Sequence, residues 1–504
     1  MDPSINLLSW VPALVPEISL TVLLFVVLLY DRFLKPEERR KVGLVTAWGA
    51  LIILVVTLGL WFFFDEPNSG ASLGESLLWG GMIRHDMVTL VFRVMFLVAL
   101  IITSLISMDV KGLQRSEYYA LLVSATIGFS LMAAGSDLIM IYVALETASI
   151  SSYALAGFFT RSARSSEAGM KYFVYGAFAT GIMIYGMSLL YGLTDQTNIY
   201  QIGALFSRGA LFEPANAVLL LAATMVVVGF GFKISAVPFH FWTPDVYEGS
   251  PTPFTAFVST ASKAAGFAIF IRVFTSGAFG DVRAFSPESA PGWWAMLVSI
   301  CIISMSLGNL VAIFQSNIKR LLAYSSIAQA GYVLIGLVAM TPDGSGASMF
   351  YLLMYIFTNI AAFGVIILIS NVTGTDTLKD LSGLNRRSPY LALVMLFAVL
   401  SLGGIPPTAG FFGKFFLFRA AVDAGLWWLA AIGILNAFVA LYYYLGIVKY
   451  MYLYRSQEEE VAIPLSRAAH VGLALSVFFI LYLGVFAGPA FEWTRQAAAA
   501  FFIG

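Results

Sequence analysis

The chain has 504 residues, 60% of them hydrophobic and 11% charged, with 28 basic and 28 acidic side chains and a net charge of zero. A soluble chain carries about 25% charged residues, so a water-soluble globular fold is excluded, and the charge balance gives no electrostatic footprint for nucleic acid. One cysteine, Cys301, rules out an internal disulfide and a four-cysteine iron–sulfur site. His85, His240 and His470 show no ligand spacing, and no GxGxxG or Walker sequence occurs, so no metal or cofactor site is expected on this chain.

Apolar runs of about twenty residues, each long enough to cross the hydrocarbon core, recur from end to end. They predict fourteen spans at approximately 12–30, 42–64, 86–107, 118–135, 138–159, 168–192, 215–236, 252–274, 293–313, 321–340, 347–371, 389–423, 427–452 and 467–487. Barrel strands would be shorter and alternating, so the expected class is an all-α polytopic membrane protein. The N-terminus MDPSINLLSW lacks a basic leader, and the first run is expected to be a retained helix. Residues 1–117 are expected to form a three-helix segment, 118–275 and 276–452 two five-helix sets, and 453–504 a final helix and tail. Five is odd, so the second set enters from the opposite side, as an inverted repeat. Alternate loops hold seventeen Lys and Arg on one side and four (Arg84, Arg208, Arg283 and Arg495) on the other. That bias predicts both termini outside.

Seven basic residues fall within spans. Arg272 and Arg419 lie near outer ends and are expected to snorkel to water. Lys171 follows Glu167 by one turn, which allows an i,i+4 pair at the interface or a secondary functional role. Arg93 is deeper and has no evident partner. Among the acids, Glu146 lies well inside the fifth span, whereas Glu17 is nearer an end. An ionised group at bilayer depth costs roughly 2.5–3.5 kcal/mol on insertion scales. Glu146, Lys233, Lys263 and Lys414 therefore need partners or water.

Two spans break themselves. In GFGFKISAVPFHFW, residues 229–242, Pro238 follows Lys233 by five residues and removes a helix hydrogen bond. In LFAVLSLGGIPPTAGFFGKFFLF, residues 396–418, Gly403, Gly404, Pro406, Pro407 and Gly410 precede Lys414. Unpaired backbone at membrane depth must face protein or a wet cavity, and such a cavity would hydrate the lysine. The broken span is fourth in each set, the pattern of inverted-repeat transporters with a site near the midplane. One detail does not match: the lysine precedes the prolines in the first set and follows them in the second. In the eighth span the small residues around Lys263 allow close packing or room for water. Burial disfavours the charged form of a lysine and a nearby Glu146 favours it. Lys233, His240, Lys263 and Lys414 are thus candidates for a water-bridged proton relay. His240 titrates near neutrality, but a structural histidine beside Trp242 and Pro244 is an equal reading.

The stretch KISAVPFHFWTPDVYEGSPTPFTAFVSTASKAAGFAIFIRVF, with LLAYSSIAQAGY and SLGGIPPTAGFFGKFFLF, resembles the subunit N family of the proton-pumping NADH–quinone oxidoreductases, respiratory complex I. That family is antiporter-like and related to cation/proton antiporters; the short C-terminal segment GPAFEWTRQAAAAFFIG favours it over longer relatives. The resemblance implies that Glu146 is the coupling acid of Lys233, that Lys263 is the eighth-helix base and that Lys414 is tied to the outer exit. His240, Lys171 and Glu167 match secondary positions. Gln329 stands where related subunits often carry histidine. The resemblance also implies a bacterial plasma membrane, neighbouring membrane subunits and lipid as partners. NADH, flavin, iron–sulfur clusters and quinone would belong to other subunits. A cation/proton antiporter subunit without redox coupling and a passive scaffold are the alternatives.

Overall fold

The computed structural model describes residues 7–64, 77–207, 213–280, 292–455, 463–499 and 501–502. Arg208 and Arg283, two of the outer basic residues, lie outside them. The spans are α1 (Leu7–Asp31), α2 (Lys41–Phe64), α3 (Met87–Ser107), α4 (Ser116–Ala134), α5 (Leu138–Ala156), α6 (Ala163–Thr194), α7a (Glu213–Ile234), α7b (Trp242–Gly249), α8 (Thr252–Ser276), α9 (Gly292–Ala312), α10 (Ile318–Val338), α11 (Pro342–Thr373), α12a (Pro389–Gly403), α12b (Ala409–Asp423), α13 (Trp427–Leu453) and α14 (Arg467–Val485), followed by a short α15 (Ala487–Ala499). Among the described residues thirteen helices are long and apolar enough to cross a membrane, and the broken α12 supplies a fourteenth span. The chain is a multi-pass helical membrane protein.

Lipid is as apolar as leucine, so these helices associate by close packing rather than by hydrophobic burial. The outer helices turn large apolar residues outward, among them Phe25, Trp48, Phe178, Leu435, Phe438 and Phe478. α8 and α11 are enclosed on all sides. Small residues make the contacts. A Cβ on Gly128 of α4 would lie 2.5 Å from the Ala148 nitrogen of α5, and one on Gly308 of α9 would lie 2.6 Å from the Ala328 nitrogen of α10.

These two contacts are 180 residues apart, and other details repeat at an interval of 179 or 180. Asp137 caps the start of α5 and Asn317 caps the start of α10. Asp137 bridges to Asn198 and Asn317 to Thr377. Ile199 donates to the Ser136 carbonyl, and Leu378 to that of Ser316. In each set the first helix packs on the second, and the third on the broken fourth. The inverted repeat thus extends to individual hydrogen bonds.

Two charges find partners that sequence position hides. Arg93 is buried and forks onto Glu17, its Nε and Nη2 each donating to a carboxylate oxygen at 3.0 Å, and Nη2 also donates to the Ala13 carbonyl at 2.7 Å. Ser130 also bonds Glu17, tying α1, α3 and α4 together. Arg272 does not snorkel. It is fully buried and clamps Asp86, because the C-terminal segment covers this end of the bundle, with its Phe501 ring 5.5 Å from the guanidinium. Arg419 does reach outward, exposed beside Asp423.

Candidate functional site

Lys233 lies in the last turn of α7a and is buried. Its Nζ donates to Ser149 Oγ at 3.0 Å and lies 5.7 Å from the Phe129 ring centre. Ser149 is one turn from Glu146 on α5, so acid and ammonium serve one point between α4, α5 and α7a. Glu146 is half-buried, and its Oε1 has no hydrogen-bond partner among the described residues. Gly266 makes room for the lysine stem: a Cβ there would sit 3.3 Å from Lys233 Cγ.

The break after α7a is held by the other half of the protein. The Val237 N–H, freed by the break, donates to Ser304 Oγ of α9 at 2.9 Å. Ser304→Ala would orphan that donor and is expected to cost about 1–3 kcal/mol. Thermal unfolding of the detergent-solubilised protein reads the loss, and an unchanged midpoint would show that the serine pins nothing.

α8 widens into a π-helical turn at Val258–Ser262, immediately before Lys263. Such turns interrupt the regular ladder and re-aim side chains. Lys263 Nζ donates to the Ser326 carbonyl at 2.6 Å. Ser326 is the repeat counterpart of Glu146, 180 residues on. In the second set Lys414, from α12b, donates to the Leu402 and Gly403 carbonyls at 3.0 Å each and lies 4.9 Å from the Tyr332 ring centre. This removes the mismatch between the two breaks. Lys233 belongs to the carbonyl end of α7a, and Lys414 reaches back across its break to the carbonyl end of α12a. Both cations occupy the negative end of the half-helix that precedes the break.

Gln329 links the sets. Its Nε2 donates to the same Leu402 carbonyl at 3.3 Å and to the Tyr444 hydroxyl at 3.1 Å, and Tyr351 donates to its Oε1. A string of polar groups thus runs from Glu146 and Ser149 through Lys233 to Lys263, Gln329 and Lys414, with hydrogen bonds within three separate sets: Lys233 with Ser149, Lys263 with the Ser326 carbonyl, and Gln329 and Lys414 on the Leu402 carbonyl.

The secondary residues stand apart. His240 lies in the first break with its ring stacked 4.6 Å from that of Phe241, and among the described residues no hydrogen bond joins it to a lysine. Lys171 pairs with Glu167 at 2.8 Å and Asp245 at 2.6 Å in a half-exposed cluster. Arg320 closes the cluster onto Asp245 and Glu248, at 2.7 and 3.0 Å. Together with Arg164 these groups line a cavity of about 210 Å³. Asp245 and Glu248 sit in the WTPDVYEG stretch of α7b; their proximity to Pro238 was the available signal, but sequence spacing could not pair them with Arg320.

A family described as NADH:quinone oxidoreductase/Mrp antiporter, TM, matches residues 135–440, which contain every member of the string. The chain is 42% identical over 471 residues to NADH-quinone oxidoreductase subunit N of Moorella thermoacetica, covering 93% of this chain and 94% of that one. The chain belongs to the NADH-quinone oxidoreductase subunit N family. A chain of the Thermus thermophilus respiratory complex I with bound aureothin superposes with TM-score 0.75 and 32% identity, over 95% of this chain and 98% of that one. A chain of the Mrp complex of Dietzia sp. DQ12-45-1b shares the fold, with TM-score 0.74 and 23% identity over 97% and 98%. Among the described residues no cluster of three or more His, Cys, Asp or Glu could hold a metal ion.

Proposed function

We propose that this chain is the proton-translocating, antiporter-like membrane subunit of a respiratory NADH:quinone oxidoreductase. Its relay is Glu146, Lys233, Lys263 and Lys414, with His240 as an auxiliary group and Lys171 and Glu167 at a secondary, water-facing cluster. The observation that carries this reading is that Lys233, Lys263 and Lys414 donate to neutral oxygens, of a serine hydroxyl or of the backbone, whereas the fourth buried lysine, Lys319, is paired with the Asp376 carboxylate. A buried ammonium held by a carboxylate keeps its proton; one held by neutral acceptors can release it when its surroundings change. Among the described residues Glu146 is the acid whose charge acts on Lys233, so movement of that charge shifts the proton toward or away from α8.

No redox step belongs to this chain. NADH, flavin, iron–sulfur clusters and quinone are assigned to partner subunits, and the immediate neighbours are other membrane subunits, including antiporter-like ones, with lipid on the remaining faces. The basic loops favour the inside of a bacterial plasma membrane, with both termini outside. Membership at 42% identity in the subunit N family supports redox coupling over a free-standing antiporter.

The test is Lys233→Ala and Lys263→Ala in the purified complex reconstituted into liposomes. Proton uptake driven by NADH oxidation is expected to fall several-fold while subunit composition stays complete. Full proton yield in both variants would leave the lysines a purely structural role.

A further inference from the structure

We propose that the aromatic face of Tyr332 is the positioning element that sets how tightly Lys414 holds its proton, in the place that Glu146 takes for Lys233. The inference rests on the relay reading above and adds a residue outside that set. An ammonium carries three N–H donors. On Lys414 the Leu402 and Gly403 carbonyls take two of them, at 3.0 Å each. The Tyr332 ring centre lies 4.9 Å from the same nitrogen. An aromatic face is electron-rich and attracts a cation, most strongly where water is excluded. Both side chains are buried, Tyr332 completely.

The ring is held in place from two sides. Its hydroxyl accepts from Asn309 Nδ2 of α9 at 3.0 Å, and Asn309 Oδ1 accepts from the Tyr443 hydroxyl of α13 at 2.9 Å. Phe418, one turn after Lys414 on α12b, packs across the ring at 72° with centres 6.4 Å apart.

Among the described residues no acid competes for this role. The titratable groups facing the lysine are phenols: Tyr332, and Tyr351 of α11 and Tyr444 of α13, which bond the Gln329 amide that shares the Leu402 carbonyl. Arg419 and Asp423 of α12b pair with each other at its exposed end, and Asp343 of α11 faces Arg495. α12a carries no charged residue, and α14 meets the break at Gly484 but carries Arg467 and His470 in its first turn. The repeat counterpart of Glu146 is Ser326, so the second set has no acid at this point of α10. Lys233 also meets a ring, that of Phe129 at 5.7 Å, but Glu146 acts on it as well. For Lys414 the ring alone favours the charged form, and a ring never takes the proton itself.

Weakening the face disfavours only the protonated lysine, so the proton leaves at lower pH. The readout is the alkaline limb of proton translocation per NADH oxidised, in the reconstituted complex. Tyr332→Leu removes the face and is expected to move that limb about one pH unit toward acid. Tyr332→Phe keeps the face and is expected to leave the limb in place; Asn309 Nδ2 retains the Asn436 carbonyl at 3.2 Å. Leucine also leaves space in the core, so a second series starts from Tyr332→Phe and adds one, two and then three fluorines to that ring. Fluorine drains the face and barely alters its shape. The limb is expected to move further toward acid with each fluorine, with subunit composition unchanged. A structural role for Tyr332 would lower the thermal midpoint of Tyr332→Leu and leave the fluorine series flat. A flat series overturns the inference, and so does a limb that moves as far in Tyr332→Phe as in Tyr332→Leu. A flat series with translocation lost in Lys414→Arg removes the Tyr332 assignment and leaves the relay reading. Parental translocation in Lys414→Arg removes the relay role of Lys414 and this inference with it.

Discussion

Arg272→Leu is expected to destabilise the protein by about 3–5 kcal/mol, the cost of leaving a buried charge without its partner. Arg272 donates to both Asp86 oxygens at 2.9 Å, to the Tyr200 hydroxyl and Thr89 Oγ1 at 3.0 Å, and to the Ala133 carbonyl at 2.9 Å. Leucine removes all five bonds at once. Asp86 would keep Arg84, 3.1 Å from its Oδ2, and its bonds from the Thr89 N–H and hydroxyl. The C-terminal segment, whose Phe501 ring covers both guanidiniums, would lose the surface it rests on. Thermal unfolding of Arg272→Leu, Asp86→Leu and the double variant forms a cycle. The double variant should recover most of the loss, because apolar replacement of a whole buried pair is often close to neutral. If Arg272→Leu unfolds like the parent, the cluster is a bystander.

The same cluster makes a statement about pH. Burial by itself would raise the Asp86 carboxyl, but Arg272 and then Arg84 outweigh it and hold the group well below the usual carboxylate range. A group depressed in the folded state stabilises above its unfolded value, near 3.9, and loses that contribution only as pH falls toward the folded value. Acidification to about pH 5 should therefore leave the cluster, and the thermal midpoint it sets, unchanged.

The spans were legible because membrane thickness sets their length and lipid sets their composition, and both are local properties of the chain. The breaks were legible for the same reason, since proline and glycine act on their own turn. What sequence could not supply was the partner of each buried charge. Arg272 reads as a snorkelling side chain because its distance from the span end is visible and Asp86, 186 residues away, is not. Arg93 looked unpaired because Glu17 lies on the first helix. Lys171 and Glu167 matched family positions, yet they face a water-accessible cluster with Asp245 and Arg320 instead of the buried string. The order of lysine and proline seemed to break the symmetry of the repeats, because order along the chain does not reveal which half-helix end a long side chain reaches.

Lys414→Ala is expected to abolish proton transfer through the second break and also to destabilise it, and the two effects can be separated. The carbonyls of Leu402 and Gly403 end α12a and have no onward helix to receive them. Lys414 satisfies both, and as a cation it also answers the negative end of the helix. Alanine leaves the Gly403 carbonyl unpaired, at about 1–3 kcal/mol, and the Leu402 carbonyl with Gln329 alone. Gly404→Ala attacks the same seat from the backbone side. Its φ of +83° disfavours a side chain, and a Cβ there would lie 2.9 Å from Lys414 Cδ, so the lysine remains but loses its place. Lys414→Arg does the opposite. A guanidinium still donates to the carbonyls but does not give up its proton at any physiological pH. Lys414→Arg is therefore expected to assemble with a near-parental thermal midpoint and to fail in proton translocation, whereas Gly404→Ala should lose part of both. Parental proton yield in Lys414→Arg would mean that the ammonium group only caps a broken helix, because a cap needs a donor and a relay needs a donor that can let go.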